Sequence, residues 1–200
     1  ILCMFEDPGI LQSAIRMVKD PSPTVRKAAL TVVSCAGDDG AVPHAAALLQ
    51  DQDREVRQQA MKSLAELQPG NMRDYSIQAL RDPDFEVRKL AVRELDKAPD
   101  RKAMTPLMDT LNDQDPRVRE AAVKALGKYD DPMALEALLG KVDDKESEVR
   151  EAVLASLAKF DDPRVVDLFL RLLMNCDLGS LLETIKNQQV DRQYLDDIAL

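Results

Sequence analysis

Acidic side chains of the type that binds metal ions recur in pairs along this sequence. Asp51, Asp82 and Asp113 are each followed two residues later by a second aspartate. Such carboxylates suit Ca²⁺, but an EF-hand loop also needs a glycine at its turn and a glutamate that closes its ring of ligands. Both residues are missing from these segments, so the pairs predict no metal site.

An arginine follows the first aspartate of each set at a spacing of six residues. A row of arginines could bind anions. Alternatively, each aspartate could accept charge-assisted hydrogen bonds from an arginine of its own or an adjacent repeat. Identical spacing in every repeat, and the need of a partly buried guanidinium for a partner, favour this structural ladder. The predicted ladder consists of Asp20, Arg26, Asp51, Arg57, Asp82, Arg88, Asp113, Arg119, Asp144 and Arg150.

No group of residues in the sequence predicts a reaction centre. His44 is the only histidine, and no cysteine or second histidine is placed to complete a ligand set with it. Neither a Ser/His/Asp set nor a phosphate-binding glycine loop occurs. The sequence therefore predicts no catalytic residue, no cofactor and no enzymatic activity.

Composition and charge exclude further classes of protein. The net charge of -9 argues against a general affinity for nucleic acid, whose backbone must be neutralised by Lys and Arg. No apolar run is long enough to span a membrane, and no signal peptide is visible. Cys3, Cys35 and Cys176 have no paired or metal-ligand spacing, which favours reduced thiols. These features predict a cytoplasmic protein that does not insert into a membrane.

The aspartates and arginines belong to a repeat that must position them. It recurs every 31 residues without insertion or deletion. A fixed period in this range is typical of a solenoid, in which each unit packs only against its neighbours. The valines that define the period are Val25, Val56, Val87, Val118 and Val149.

Each repeat is predicted to form two amphipathic helices. The second helix carries the repeated valine, then a small residue and a larger apolar residue at successive spacings of four, as in Val118, Ala122 and Leu126. The first helix precedes it and carries its own apolar stripe at spacings of four and three. Residues that favour helix N-caps mark the starts of the helices. They are Asp7, Ser22, Asp53, Asp84, Asp115, Asp131 and Asp162.

The expected fold is all-α, a right-handed α-solenoid (superhelix) of stacked antiparallel helix pairs that forms one domain over residues 1–200. Since the first residue falls inside a repeat, we expect the chain to be a fragment of a longer protein. The predicted segments are a repeat tail at 1–6, full repeats at 7–37, 38–68, 69–99, 100–130 and 131–161, a divergent repeat at 162–190, and the start of a further helix at 191–200.

This pattern resembles the HEAT repeat, and more closely its short variety named for phycobilisome lyases. The residues that carry the resemblance are the turn aspartate, the Val-Arg pair, the following alanine and the closing leucine, as in Asp113, Val118-Arg119, Ala122 and Leu126. The likeness is strong over residues 1–161 and weak over 162–200. It implies an interaction scaffold whose second helices line an inner, concave surface.

Basic residues recur on the exposed side of the second helices. Stacking would align them into a strip that resembles a groove for an acidic or phosphorylated segment. A solvated helix face is the alternative, because Lys and Arg are favoured towards helix C-termini and form i,i+4 pairs with glutamate. The strip consists of Lys62, Arg93, Lys124, Lys97, Lys128 and Lys159.

The sequence thus favours a non-catalytic scaffold or regulatory module that binds a protein partner along the second-helix face. The resemblance also allows an enzyme-associated subunit of the phycobilin-lyase type. Nucleic-acid binding by the concave face is a third hypothesis, which the negative charge opposes. Exposed apolar ends could also drive end-to-end self-association. The residues involved would be Ile1, Leu2, Phe5, Leu195 and Ile198.

Overall fold

The computed structural model describes residues 8–37 and 39–175, which form α-helices joined by short turns and contain no strand. Three of the connections contain a single 3₁₀ turn. The helices are α1 (Pro8–Met17), α2 (Pro23–Ala36), α3 (Val42–Ala47), α4 (Arg54–Leu67), α5 (Met72–Ala79), α6 (Phe85–Lys97), α7 (Arg101–Thr110), α8 (Pro116–Leu126), α9 (Pro132–Leu139), α10 (Ser147–Leu157) and α11 (Pro163–Asn175).

The helices alternate between the two predicted types, so the prediction of an all-α solenoid fold is confirmed. The odd-numbered helices are the first helices of each repeat and the even-numbered ones are the second. The predicted segments at 1–6 and 191–200, and all five residues expected to drive end-to-end association, lie outside the described residues.

The chain forms two compact units, Ile1–Thr110 and Leu111–Leu200. In the first unit, second helices α2, α4 and α6 lie side by side, and α1, α3 and α5 pack against them in turn. In the second unit, α8 packs against α10, and α9 contacts both. We use "second-helix face" for the solvent side of α2, α4 and α6 in the first unit, and of α8 and α10 in the second.

The apolar stripe of the second helices forms the core of each unit. Val56, Ala60 and Leu64 of α4 are completely buried, and so are Val118 and Leu126 of α8. The alanine in the middle of the stripe has no side chain beyond Cβ, so the neighbouring helices approach closely. Side-by-side packing of second helices therefore follows from the repeated Val-Ala-Leu spacing.

Aspartates at the helix starts accept hydrogen bonds from free backbone N–H groups of the first turn. Asp53, Asp84, Asp115 and Asp131 all cap their helices in this way. Ser22 occupies the N-cap position of α2, but its side chain makes no capping hydrogen bond.

Two buried serines tie second helices together. The Ser63 hydroxyl donates to the carbonyl of Leu30, at 3.2 Å, and thereby joins α4 to α2. The Ser156 hydroxyl occupies the same repeat position and donates to the carbonyl of Val123, at 3.3 Å, which joins α10 to α8. In contrast, the hydroxyl of Ser76 in α5 is buried and has no hydrogen-bond partner among the described residues.

Serine-to-alanine changes at these sites are expected to have opposite signs. Ser76→Ala removes a buried, unsatisfied hydroxyl and is expected to raise the free energy of unfolding by about 1 kcal/mol. Ser63→Ala removes a hydrogen bond between helices and is expected to lower it by about 1 kcal/mol. Urea unfolding followed by circular dichroism measures both. Destabilisation by Ser76→Ala would contradict the assignment of its hydroxyl as unsatisfied.

Candidate functional site

The predicted ladder residues meet at the turns that precede the second helices. Arg57 Nε and Nη2 donate to the two carboxylate oxygens of Asp82, at 2.7 and 2.9 Å. Its Nη1 donates to the carbonyls of Asp51 and Gln52 in its own repeat. One guanidinium therefore joins the turn of its own repeat to the turn aspartate of the next.

The same arrangement occurs at Arg26 with Asp51 and at Arg119 with Asp144. Arg88 and Arg150 also donate through Nη1 to the carbonyl of the turn aspartate in their own repeats. Each turn aspartate in addition accepts a hydrogen bond from the backbone N–H two residues later. These aspartates are Asp20, Asp51, Asp82, Asp113 and Asp144.

The ladder carboxylates are thus used within the fold and are not open to a ligand. The side chains of Asp51, Asp82 and Asp144 are only 6–8% exposed. Across the part of the chain that the structure describes, no cluster of His, Cys, Asp and Glu could hold a metal ion. None of the helices in that part is long and apolar enough to cross a membrane.

Charge pairing in the ladder makes stability dependent on pH. Hydrogen bonds from Arg119 lower the pKa of Asp144, burial opposes this, and the backbone N–H of Glu146 lowers it further. A carboxyl whose pKa is lower in the folded state contributes stability above its unfolded pKa of about 4. That contribution is lost as the pH falls through the folded value.

We therefore expect the stability difference between wild type and an Asp144→Asn variant to be constant from about pH 7 to 5 and to narrow below about pH 4. Urea unfolding midpoints across this range measure the difference. A difference that stays constant down to the acid limit would contradict the inferred pKa shift.

The six residues of the predicted basic strip lie in different environments. Lys97 pairs with Glu94 in its own helix, at 2.8 Å, and Lys124 pairs with Glu120. The unit Ile1–Thr110 holds Lys62, Arg93 and Lys97, and the unit Leu111–Leu200 holds Lys124, Lys128 and Lys159. All six are exposed.

Three of the six side chains have no ion pair or hydrogen bond within residues 8–37 and 39–175, unlike those of Lys97 and Lys124. They are the side chains of Lys62, Arg93 and Lys159. Pairing along the helix, as at Lys97 and Lys124, is what the solvated-face alternative describes. The unpaired cations are those that have charge to offer a ligand.

A groove of about 410 Å³ opens on the second-helix face of the first unit. It crosses α2, α4 and α6 near their N-terminal halves, and every lining residue except Phe85 is of a polar type. Its lining residues are Lys27, Arg54, Glu55, Gln58, Gln59, Lys62, Phe85 and Glu86. Of the predicted strip, the groove includes Lys62.

Contacts between neighbouring helices and within α4 fix several of the lining side chains. Lys27 of α2 forms an ion pair with Glu55 of α4. The side-chain amide of Gln58 donates to Asp84 Oδ1, at 3.3 Å. The amide of Gln59 donates to the Ser63 hydroxyl at 3.5 Å. The oxygens of both amides accept no hydrogen bond from any described residue, so they are available to a donor in a ligand.

The far side of the groove combines an aromatic ring with a cation. Lys89 Nζ lies 5.6 Å from the centroid of the Phe85 ring and pairs with Glu86 at 2.8 Å. The groove therefore offers amide oxygens, one aromatic surface and charged groups. These can hold a segment of protein by hydrogen bonds and packing, and none of them is arranged as a nucleophile and base.

Sequence reasoning missed the groove because it considered positions six and ten residues after the repeated valine. Apart from Lys62, the lining residues lie one or two residues before the valine or two or three residues after it. A signal was present in the adjacent glutamines Gln58 and Gln59, whose counterparts in the other repeats differ.

One sequence prediction is wrong. Cys35 at the C-terminal end of α2 is disulfide-bonded, whereas its spacing favoured a reduced thiol. Sequence spacing could not reveal this pairing because it does not report spatial proximity. Cys35 therefore does not support a reducing compartment.

The alternating helices, the side-by-side second helices and the arginine–aspartate ladder define a protein of the helical-repeat class. A family profile described as HEAT repeats matches residues 1–71 and 74–144. The chain belongs to the HEAT-repeat family.

Solved structures share the fold at low sequence identity. The complex of CpcE and CpcF of phycocyanin lyase from Nostoc sp. PCC7120 matches with 21% identity and a TM-score of 0.59, over 84% of this chain and 71% of that chain. Computationally designed armadillo repeat proteins for modular peptide recognition match with 19% identity and a TM-score of 0.57, over 90% and 97%. An engineered protein matches with 20% identity and a TM-score of 0.54, over 88% and 96%. No curated protein sequence matches the chain significantly.

Proposed function

We propose that the chain is a non-catalytic interaction module that binds an extended segment of a partner protein on its second-helix face. The groove across α2, α4 and α6 is the binding site. The observation that carries this proposal is the open groove, lined by amides, charges and an aromatic ring on adjacent helices.

The geometry suits an extended segment because the lining residues come from three neighbouring helices and form an open groove rather than an enclosed pocket. The amide oxygens of Gln58 and Gln59 can accept hydrogen bonds from a main chain, and Phe85 offers a surface for an apolar side chain. The shared fold with designed armadillo proteins for modular peptide recognition supports the same use of stacked helices.

Blocking the groove tests the proposal. Linear peptides selected from a random display library against the wild-type protein are measured with purified variants by fluorescence anisotropy. Gln59→Trp, which fills the groove, is expected to weaken binding by about 10-fold or more. Gln12→Trp, an exposed change on first helix α1, is the matched control and is expected to leave binding unchanged. Equal binding by both variants would show that the groove is not the site.

A second candidate function is a subunit of a bilin lyase of the phycobilisome-lyase type, which the similarity to the CpcE–CpcF complex favours. The groove in the first unit holds a single aromatic residue, Phe85, against which a pigment could stack. Incubation with a bilin is the test. A shifted absorption spectrum would support this function, and an unchanged one would exclude it for the isolated chain.

A further inference from the structure

Two cations on the second-helix face of the first unit stand apart from the others there. Every other Lys and Arg of α2, α4 and α6 is in an ion pair or hydrogen-bonded. Lys62 and Arg93 are exposed and have neither within the described residues. They occupy the same repeat position, six residues after the valine, on the neighbouring helices α4 and α6.

The carboxylates beside the groove are occupied, whereas Glu66, four residues after Lys62 in α4, is exposed and pairs with no described residue. Glu55 is paired with Lys27, Glu86 with Lys89, and Asp84 accepts from its own helix N-terminus and from Gln58. Two unpaired cations against one unpaired carboxylate leave the charge along this edge positive, although the whole chain has a net charge of -9.

We propose that the partner segment is acidic, and that Lys62 and Arg93 each pair with an aspartate or glutamate side chain of that segment. This inference rests on the proposed binding function and names the chemistry of the partner. Lys62 lines the groove itself, and Arg93 continues the same edge on α6. The segment crosses the second helices, with its carboxylates on that edge.

Carboxylates fit this edge better than phosphate groups. Lys62 and Arg93 lie more than two turns inside their helices, so no free backbone N–H groups of a helix N-terminus are available to hold a dianion. Glu55 and Glu86, two turns earlier on the same face of the same helices, would repel a second negative charge more strongly than a single one. One positive charge at each position matches one carboxylate at each position.

The helix spacing sets the spacing of the acidic residues. Packed helices lie about 8–10 Å apart, and an extended chain rises about 3.3 Å per residue with alternate side chains on one face. Two carboxylates that are two residues apart on one face of the partner segment can both be reached by Lys62 and Arg93, because these side chains are long and exposed. The preferred segment therefore carries acidic residues in alternation.

The test uses a fluorescent peptide with glutamate at alternate positions and a matched peptide with glutamine in their place. We expect wild-type protein to bind the glutamate peptide about 10-fold or more tightly at low salt, with the difference shrinking as salt rises. Lys62→Glu combined with Arg93→Glu is expected to abolish the preference. Lys19→Glu combined with Lys102→Glu changes the net charge equally, at exposed sites outside the second helices, and is expected to preserve it.

Two outcomes would overturn the acidic-partner inference. One is equal affinity for the two peptides. The other is an equal loss of preference in both double variants, which would assign it to overall charge rather than to this edge. Peptides that bind the groove without acidic residues, and that lose affinity on Gln59→Trp but not on Lys62→Glu with Arg93→Glu, would leave the binding function standing while removing this inference. If no peptide bound at the groove, both the proposed binding function and the acidic-partner inference would be wrong.

Discussion

Replacing Asp144 with alanine is expected to lower the free energy of unfolding by about 3–5 kcal/mol. The Arg119 and Asp144 side chains are 5% and 7% exposed, and their two hydrogen bonds are 2.8 and 2.9 Å long. Removal of the carboxylate leaves a guanidinium buried without its counter-charge. It also removes the acceptor for the backbone N–H of Glu146.

A double-mutant cycle separates the interaction energy of the Arg119–Asp144 pair from the cost of leaving one of its charges buried alone. Arg119→Met alone should also destabilise, whereas Arg119→Met with Asp144→Ala should cost less than the sum of the single changes, because no buried charge is left alone. Asp167→Ala is the control, since the Asp167–Arg171 pair is 58% and 73% exposed and is expected to contribute about 0–1 kcal/mol. Urea unfolding measures all four variants. Additive single effects would contradict a coupled pair.

The ladder also determines the geometry of the candidate site. Arg26–Asp51 and Arg57–Asp82 connect the turns at the N-terminal ends of α2, α4 and α6. The groove opens across the N-terminal halves of the same three helices. Because each guanidinium binds two consecutive turns, it fixes how far one second helix is displaced along its neighbour. The ladder therefore holds the lining residues in register, although its own residues do not line the groove.

The fold could be predicted from the sequence because one set of positions specifies it. The same core positions recur in each second helix, as Val56, Ala60 and Leu64 in α4 and as Val118, Ala122 and Leu126 in α8. The structure of one helix pair therefore predicts the structure of the others. The aspartate–arginine spacing identified the groups that pair, but it left open whether an arginine binds the aspartate of its own repeat or of an adjacent one. Arg57 does both, through the carbonyl of Asp51 and the carboxylate of Asp82, which only three-dimensional packing decides.

The candidate site was harder to predict because it depends on which charges are already paired. Lys62 and Lys97 look alike in the sequence, yet Glu94 pairs with Lys97 while no described residue pairs with Lys62. Periodicity identifies residues that share a face. It does not report which neighbours neutralise them, and the groove between helices depends on side-chain directions as well as on period.

Gly127→Ala is expected to lower the free energy of unfolding by about 1–3 kcal/mol, although alanine is ordinarily the better residue in a helix. Gly127 has helical backbone angles, φ -64° and ψ 0°, so no glycine-specific conformation is needed. A Cβ there would lie 2.7 Å from the Cβ and Oγ of Ser156 and 3.2 Å from its Cα. Ser156 cannot turn aside without loss of its hydrogen bond to Val123, and its Cα belongs to the backbone of α10.

Gly140→Ala provides the matched control at the end of α9. Its backbone angles are nearly the same, φ -69° and ψ -3°, but the nearest atoms to an added Cβ lie 3.5 Å away. This change is expected to raise the free energy of unfolding by about 0.4–1 kcal/mol, since alanine reduces the freedom of the unfolded chain. Opposite signs at two similar glycines would show that close packing of α8 on α10, and not backbone conformation, requires glycine at position 127.

A second change identifies the atoms responsible. In a Ser156→Gly background, the Cβ and Oγ that would collide with the added methyl group are absent, so Gly127→Ala is expected to lose most of its cost. Urea unfolding of the four combinations gives the coupling energy directly. An undiminished cost in that background would place the conflict elsewhere in the contact between the two second helices. Since α8 and α10 are the neighbouring second helices of their unit, the same measurement reports how tightly the second-helix face is packed there.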